Sequence, residues 1–348
     1  MVNLVMVRIA DVAREAGVAY STASLALRGV ARVAPATRQR VLAVAEQLGY
    51  SPNAAASLLA SQRRQGRHQA NQINLAFLTP HFSYHEQSAS SGVHSAASRL
   101  GYGLLTPYLD QTTDFSQLAR RLYQSGVEGI MINARHAWSG FDWRQFEFDR
   151  FCVVKIGRGL SDVSATTVCV NVSEMTRLAL RKIYEAGYRS VFCLLSISPS
   201  EADNDARIGT VYSFRHRLLQ AGCRLEWLEI PLHNKQLLAK ALESMRKART
   251  EAVLAFPAGF HGNLKDAGVM IPESMAYAAM PVVPRNDPKA LVAGVDARDV
   301  DQGTHAVDLL HQLIILRKRG LQENFDQTHL RPLWRAGLSL PTRQPVAG

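Results

Sequence analysis

The chain has 348 residues, 47% of them hydrophobic, with a formal net charge of +11. That length supplies a large core and exceeds one typical domain of about 100 to 200 residues. No run reaches the roughly 18 uninterrupted apolar residues of a membrane span, and the start MVNLVMVR has neither the basic opening nor the long apolar stretch of a secretory signal, so a cytoplasmic, non-membrane chain is expected.

Residues 9 to 28, IADVAREAGVAYSTASLALR, read as two short helices around a turn. Ile9, Val12, Ala13 and Ala16 share one face of the first, and Ala23, Ala26, Leu27 and Val30 share one face of the second, so each has a side to bury. Gly17 stands where the first must end, because a residue without Cβ takes the left-handed conformation at little cost. Ser21, Ser24, Leu25 and Arg28 are left facing outward. Such a pair lays its second helix into the DNA major groove, although the same pattern also occurs inside ordinary helical domains. Residues 33 to 50, VAPATRQRVLAVAEQLGY, make a third helix with Pro35 in its first turn and Val41, Val44, Ala45 and Leu48 along one side. SPNAAASLLAS follows as about two turns of helix, too short to hold alone in water.

These segments resemble the headpiece and hinge of the lactose-repressor (LacI/GalR) family of bacterial transcription regulators, continuously over residues 8 to 61. The resemblance implies base-reading roles for Tyr20, Ser21, Leu25 and Arg28, and phosphate contacts for Thr22, Ser24, Thr37 and Asn53. It also implies paired hinge helices in the minor groove, with Leu59 as the wedge that partly unstacks a central base step. Leu25 replaces a longer polar residue and Arg28 an Asn, and an aliphatic side chain in the groove reads only apolar features such as a thymine methyl, so an unusual half-site is expected. Charge agrees: the first 70 residues carry nine Arg and no Lys against Asp11, Glu15 and Glu46, which is +6 of the total. The boundaries read as headpiece 1–50, hinge 51–61 and linker 62–72.

Beyond residue 72, short apolar strands alternate with helices: INLAFL, helix 87–100, YGLLTPY, helix 115–125, GIMIN and FCVVKIG in one half; TVCVN, helix 173–186, SVFCLLS, helix 205–221, LEWLEI, helix 235–249 and AVLAF in the other. Gly101, Gly126, Gly187 and Gly222 end helical stretches. This rhythm argues for two parallel sheets covered on both faces. Cys152, Cys169, Cys193 and Cys223 lack CxxC or Cys/His spacing and read as buried free thiols; His81, His85, His305 and His311 form no HExxH, so no metal or cofactor is expected.

The body resembles the effector-binding and dimerisation core of the same family, a two-lobed fold like that of periplasmic sugar-binding proteins. The resemblance implies an N-lobe of about 73–165 and 295–322, a C-lobe of about 166–292 and 323–340, three crossings between them, and a homodimer on a near-palindromic operator. Dimer contacts are expected from helix 87–100 and the C-lobe, with no leucine-heptad tail for a tetramer. Ligands of doubly wound sheets settle outside the carboxyl ends of strands. The effector candidates are therefore His81, Phe82 and Tyr84; Arg135, His136 and Trp138; Arg158; and Phe256 and Phe260, to which the resemblance adds Arg207, a turn before Thr210. Thr210 stands where sugar-binding relatives carry an Arg, and Phe256, Pro257 and Ala258 replace their Asn-Asp, which points away from a simple neutral sugar. A sugar derivative and a degenerate pocket both remain open. An enzyme is the rival class, but GRGLSD lacks GxGxxG spacing and no P-loop appears. An envelope solute-binding protein is a second rival, opposed by the missing signal and the headpiece.

Overall fold

The computed structural model describes residues 9–27, 34–48, 73–79, 84–110, 112–135, 141–198, 200–219, 222–282 and 291–343. The chain divides into two compact units, residues 1–70 and 71–348.

In the first unit α1 (Ile9–Glu15), α2 (Tyr20–Leu27) and α3 (Pro35–Gln47) enclose a small core. Val12, Ala13, Ala16, Ala23, Ala26, Val41 and Ala45 are buried in it, with Val18, Leu27, Val44 and Leu48 packed around them. Five of those seven buried side chains are the smallest with a Cβ, which lets three short helices approach closely. Gly17 takes φ +63° and turns the chain between α1 and α2. The hinge and linker predicted over 51–72 lie outside the described residues.

The second unit holds two six-stranded sheets, ordered β11-β5-β4-β3-β1-β2 and β12-β10-β9-β8-β6-β7. The first comprises β1 (Asn74–Leu78), β2 (Gly103–Leu105), β3 (Val127–Asn133), β4 (Cys152–Ile156), β5 (Thr166–Val170) and β11 (Gln327–Leu330). The second comprises β6 (Ser190–Leu195), β7 (Arg224–Glu229), β8 (Ala252–Phe256), β9 (Ala276–Ala279), β10 (Ala293–Asp296) and β12 (Leu333–Arg335). All pairings are parallel except β10 with β12. Parallel strands covered on both faces read as near-continuous apolar runs; all five residues of β4 are buried, four of them apolar.

Helices cover both sheets. On the first, α4 (Tyr84–Arg99) and α10 (Asp299–Leu316) pack together, α10 crossing β3, β4 and β5, while α5 (Phe115–Gln124) covers the other face with an aromatic cluster of Trp143, Phe146, Phe148 and Phe151. On the second, α6 (Val172–Glu185) and α7 (Glu201–Leu219) lie on one face, and α8 (Lys235–Lys247) and α9 (Phe260–Asp266) on the other. Asp114, Asn171 and Asn234 cap α5, α6 and α8, each side chain accepting from a backbone N–H three residues on.

Three corrections to the expected lobes follow. TVCVN, assigned to the second lobe, is β5 of the first sheet, pairing with β4. Residues 327–330, also given to the second lobe, pair with β5 as β11. β10, placed partly with the N-lobe return, belongs to the second sheet beside β9. An apolar strand reads alike in either sheet, so periodicity finds the strand without finding its neighbours. The chain still crosses three times: after β5, after β10 and between β11 and β12. The four cysteines are free and buried, as expected.

Candidate functional site

The amino-terminal unit has α2 entering at Tyr20, whose side chain is 49% exposed, directly after the Gly17 turn. Thr22, Leu25 and Thr37 are half-buried, so Leu25, expected to face outward, is only partly exposed. Ala23 and Ala26 anchor the opposite face of α2 completely. Arg14, Arg38 and Arg40 are exposed around this unit, Arg14 pairing with Asp11 one turn back at 2.9 Å. The side chains of Ser21 and Ser24, and residues Arg28, Asn53 and Leu59, lie outside the described residues.

The body brings a second set of predicted residues to the carboxyl ends of its strands. After β4, Gly157 takes φ +94°. A Cβ there would stand 2.3 Å from Arg135 Cγ, and one at Gly159 would stand 2.1 Å from Ala134 O. The two glycines of the Gly-Arg-Gly sequence therefore let the loop after β4 rest on the end of β3, setting Arg158 beside Arg135. Arg135 is held within its lobe, donating through Nη1 to Asp299 in the first turn of α10. Arg158 reaches instead across to the second lobe, its Nη1 lying 3.3 Å from Asp203 Oδ1 in the first turn of α7.

Arg207, one turn further along α7, is only 3% exposed. Its guanidinium stacks 3.6 Å from the centre of the Phe256 ring and donates through Nη1 to Asn204 Oδ1 at 3.0 Å. Asn204 in turn accepts from Ser198 N at 3.0 Å and donates to Ser198 O at 2.9 Å, fixing the loop after β6. Burial lowers the Arg207 pKa to about 10, partly offset by Asp203 and Glu229. Burial raises that of Asp203, partly offset by Arg158 and Arg207.

Arg158, Arg207 and Phe256 thus converge, and Arg135 borders them. Phe260 does not: it has no exposed surface and packs with Leu238, Leu264 and Tyr277 behind the second sheet. Its position one turn into the segment after β8 points it into that core, which corrects its assignment to the cleft. His81, Phe82, His136 and Trp138 lie outside the described residues, as does the side chain of Tyr84. Asp203 and Asn204 were missed because α7 was expected to begin at 205. It begins at Glu201, and the Asp203 amide donates to Ser200 Oγ at 3.2 Å; the Ser-x-x-Asp spacing of a capping box was the available signal.

A helix-turn-helix unit on a two-lobed α/β body defines a DNA-binding transcriptional regulator. Residues 8–53 match the family described as "Bacterial regulatory proteins, lacI family". The chain is 28% identical over 243 residues to the HTH-type transcriptional regulator PtxS of Pseudomonas plecoglossicida, spanning 68% of this chain and 67% of that one. It is 33% identical over 129 residues to catabolite control protein A of Priestia megaterium, 36% of each. The crystal structure of the lac repressor dimer bound to operator and the anti-inducer ONPF shares the fold, with a TM-score of 0.57 at 16% identity over 96% of this chain and 99% of that chain. Residues 8–53 thus carry a lacI-family DNA-binding domain, and over about two thirds of its length the chain is similar to curated transcriptional regulators. Among the described residues no helix is long and apolar enough to cross a membrane.

Proposed function

We propose that this chain acts as a homodimer, as the lac repressor does in its operator complex, each headpiece reading one half of a near-palindromic operator. The observation that carries this reading is the three-helix unit whose matched stretch, 8–53, contains the exposed Tyr20 at the start of α2. Tyr20, Ser21, Leu25 and Arg28 are assigned to bases, Thr22, Ser24, Thr37 and Asn53 to phosphates, and Leu59 to the minor-groove wedge. The outer face of α4, where Ser91, His94, Ser95 and Ser98 are exposed, serves as part of the dimer contact.

The body receives a small molecule between its lobes and performs no turnover; the regulator works in the cytoplasm, where its operator is. A ligand that prefers one closure of the lobes shifts operator affinity by about 5 to 150-fold, the ordinary range of allosteric coupling. Selection of bound duplexes from a random pool tests the reading. Recovery of a two-fold symmetric consensus is expected, and salt-sensitive binding with no consensus overturns it.

A further inference from the structure

Among the described residues Arg207 is a buried cation without a close counter-ion. It forms no ion pair within 4 Å among the described residues; its Nη1 meets an amide oxygen, its face meets Phe256, and its Nε meets no hydrogen-bond acceptor. Asp203 and Glu229 act on it only from further away. Buried charge is costly unless paired, and a buried N–H left unsatisfied adds to that cost. Close by, Asp203 Oδ1 is buried and accepts no hydrogen bond, although Arg158 lies 3.3 Å away as a charge contact. An intrahelical ion pair between Asp203 and Arg207 would have satisfied both atoms, yet the two side chains are turned to different neighbours.

One place at the lobe boundary therefore offers a donor and an acceptor that the chain leaves unused, with a second guanidinium facing them from the opposite lobe. A neutral hydroxyl matches the acceptor but leaves the Arg207 charge unanswered. A carboxylate matches the planar guanidinium fork and supplies the missing charge. We propose that the cleft takes a polyhydroxy carboxylate, its carboxylate held by Arg207 and Arg158 and a hydroxyl donated to Asp203. The proposal rests on the effector reading above and names the chemical class of that effector. Because Arg158 belongs to the first lobe and Arg207 to the second, the bound acid bridges them and favours one state of closure.

The test uses the full-length protein and three probe types in thermal-shift and calorimetric titrations: the acids D-gluconate, D-galacturonate and D-glucarate; D-glucitol, with the hydroxyls and no charge; and acetate, with the charge and no hydroxyls. At least one acid raises the melting temperature by about 3 °C or more at millimolar concentration, and glucitol and acetate do not. Arg207→Gln and Arg158→Gln each weaken that acid at least about tenfold; Arg158 is on a half-buried loop, so its variant reports even where the Arg207 variant folds poorly. A response to glucitol equal to that of the acids overturns the proposal, as does a response surviving both substitutions, or no response to any of the three acids. Operator selection is scored separately: a chain that binds its operator and ignores all three acids retains the regulator reading and loses this one.

Discussion

The guanidinium of Arg207 stacks 3.6 Å from the centre of the Phe256 ring, joining the second turn of α7 to the end of β8. Because the cation is almost fully removed from water, the ring's negative face takes over part of the solvation it lost. Phe256→Leu keeps the apolar bulk and removes that face. It is expected to cost about 1 to 2 kcal/mol in urea denaturation; a loss indistinguishable from zero would show that the ring only fills space.

Gly303 and Gly92 set how closely α10 and α4 approach. A Cβ on Gly303 would stand 2.2 Å from Ala89 O, and one on Gly92 would stand 1.9 Å from Val300 O, so each obstructs the backbone of the opposite helix. At Gly17 nothing lies within 4 Å of the Cβ position, and only its φ of +63° opposes a side chain. Gly303→Ala is therefore expected to destabilise the body by about 3 kcal/mol or more. Gly17→Ala is expected to cost about 1 to 2 kcal/mol within the headpiece alone. Amide hydrogen exchange separates the two, with α4, β3 and β4 losing protection in the first variant and α1 to α3 in the second.

That contrast also marks how far the sequence could be read. Gly17 was legible because a helix end is a local event, signalled by its neighbours on either side. Gly92 and Gly303 were not, since their role arises where two segments far apart in sequence cross. The headpiece core was legible at Val12, Ala13, Ala16, Ala23, Ala26, Val41 and Ala45, its three helices being short and one-sided, while the side chain of Ile9 and residue Val30 lie outside the described residues. In the body β1 to β8 were legible and their sheet membership was not, as β5 shows, whereas the short β9, β10 and β11 were not singled out. Of the cleft candidates, Arg158 and Phe256 came from the rule that ligands gather at strand ends, and Arg207 from the family resemblance. Asp203 was hidden by a misplaced helix start, and Phe260 by the direction of its side chain.

Tyr20 is half-exposed at the start of α2, so removing its ring leaves the buried side of that helix untouched. Tyr20→Ala should leave headpiece helicity unchanged and weaken binding to the selected operator by about 10 to 100-fold, with less effect on random duplex. Equal weakening on both DNAs would reassign the ring to the phosphate backbone.

Lys155 is a cation buried within a strand: it sits in β4 at 5% exposure, donating from Nζ to Leu160 O at 3.0 Å. Burial lowers its pKa from 10.5 to about 8. The unfolded chain thus holds this proton more tightly than the folded one, and stability contributed by this site rises with pH between about 8 and 10.5. Below about pH 8 both states are charged and the full penalty applies; above about 10.5 both are neutral and it vanishes. At about 1.4 kcal/mol per pKa unit the penalty is on the order of 3 kcal/mol, and a methionine recovers about 1 kcal/mol less than that because Leu160 O loses its donor. Lys155→Met should therefore stabilise the body by about 2 kcal/mol at pH 7. The gain should shrink steadily as denaturation is repeated at pH 8, 9 and 10. A gain independent of pH would attribute it to packing of the methionine rather than to relief of a buried charge.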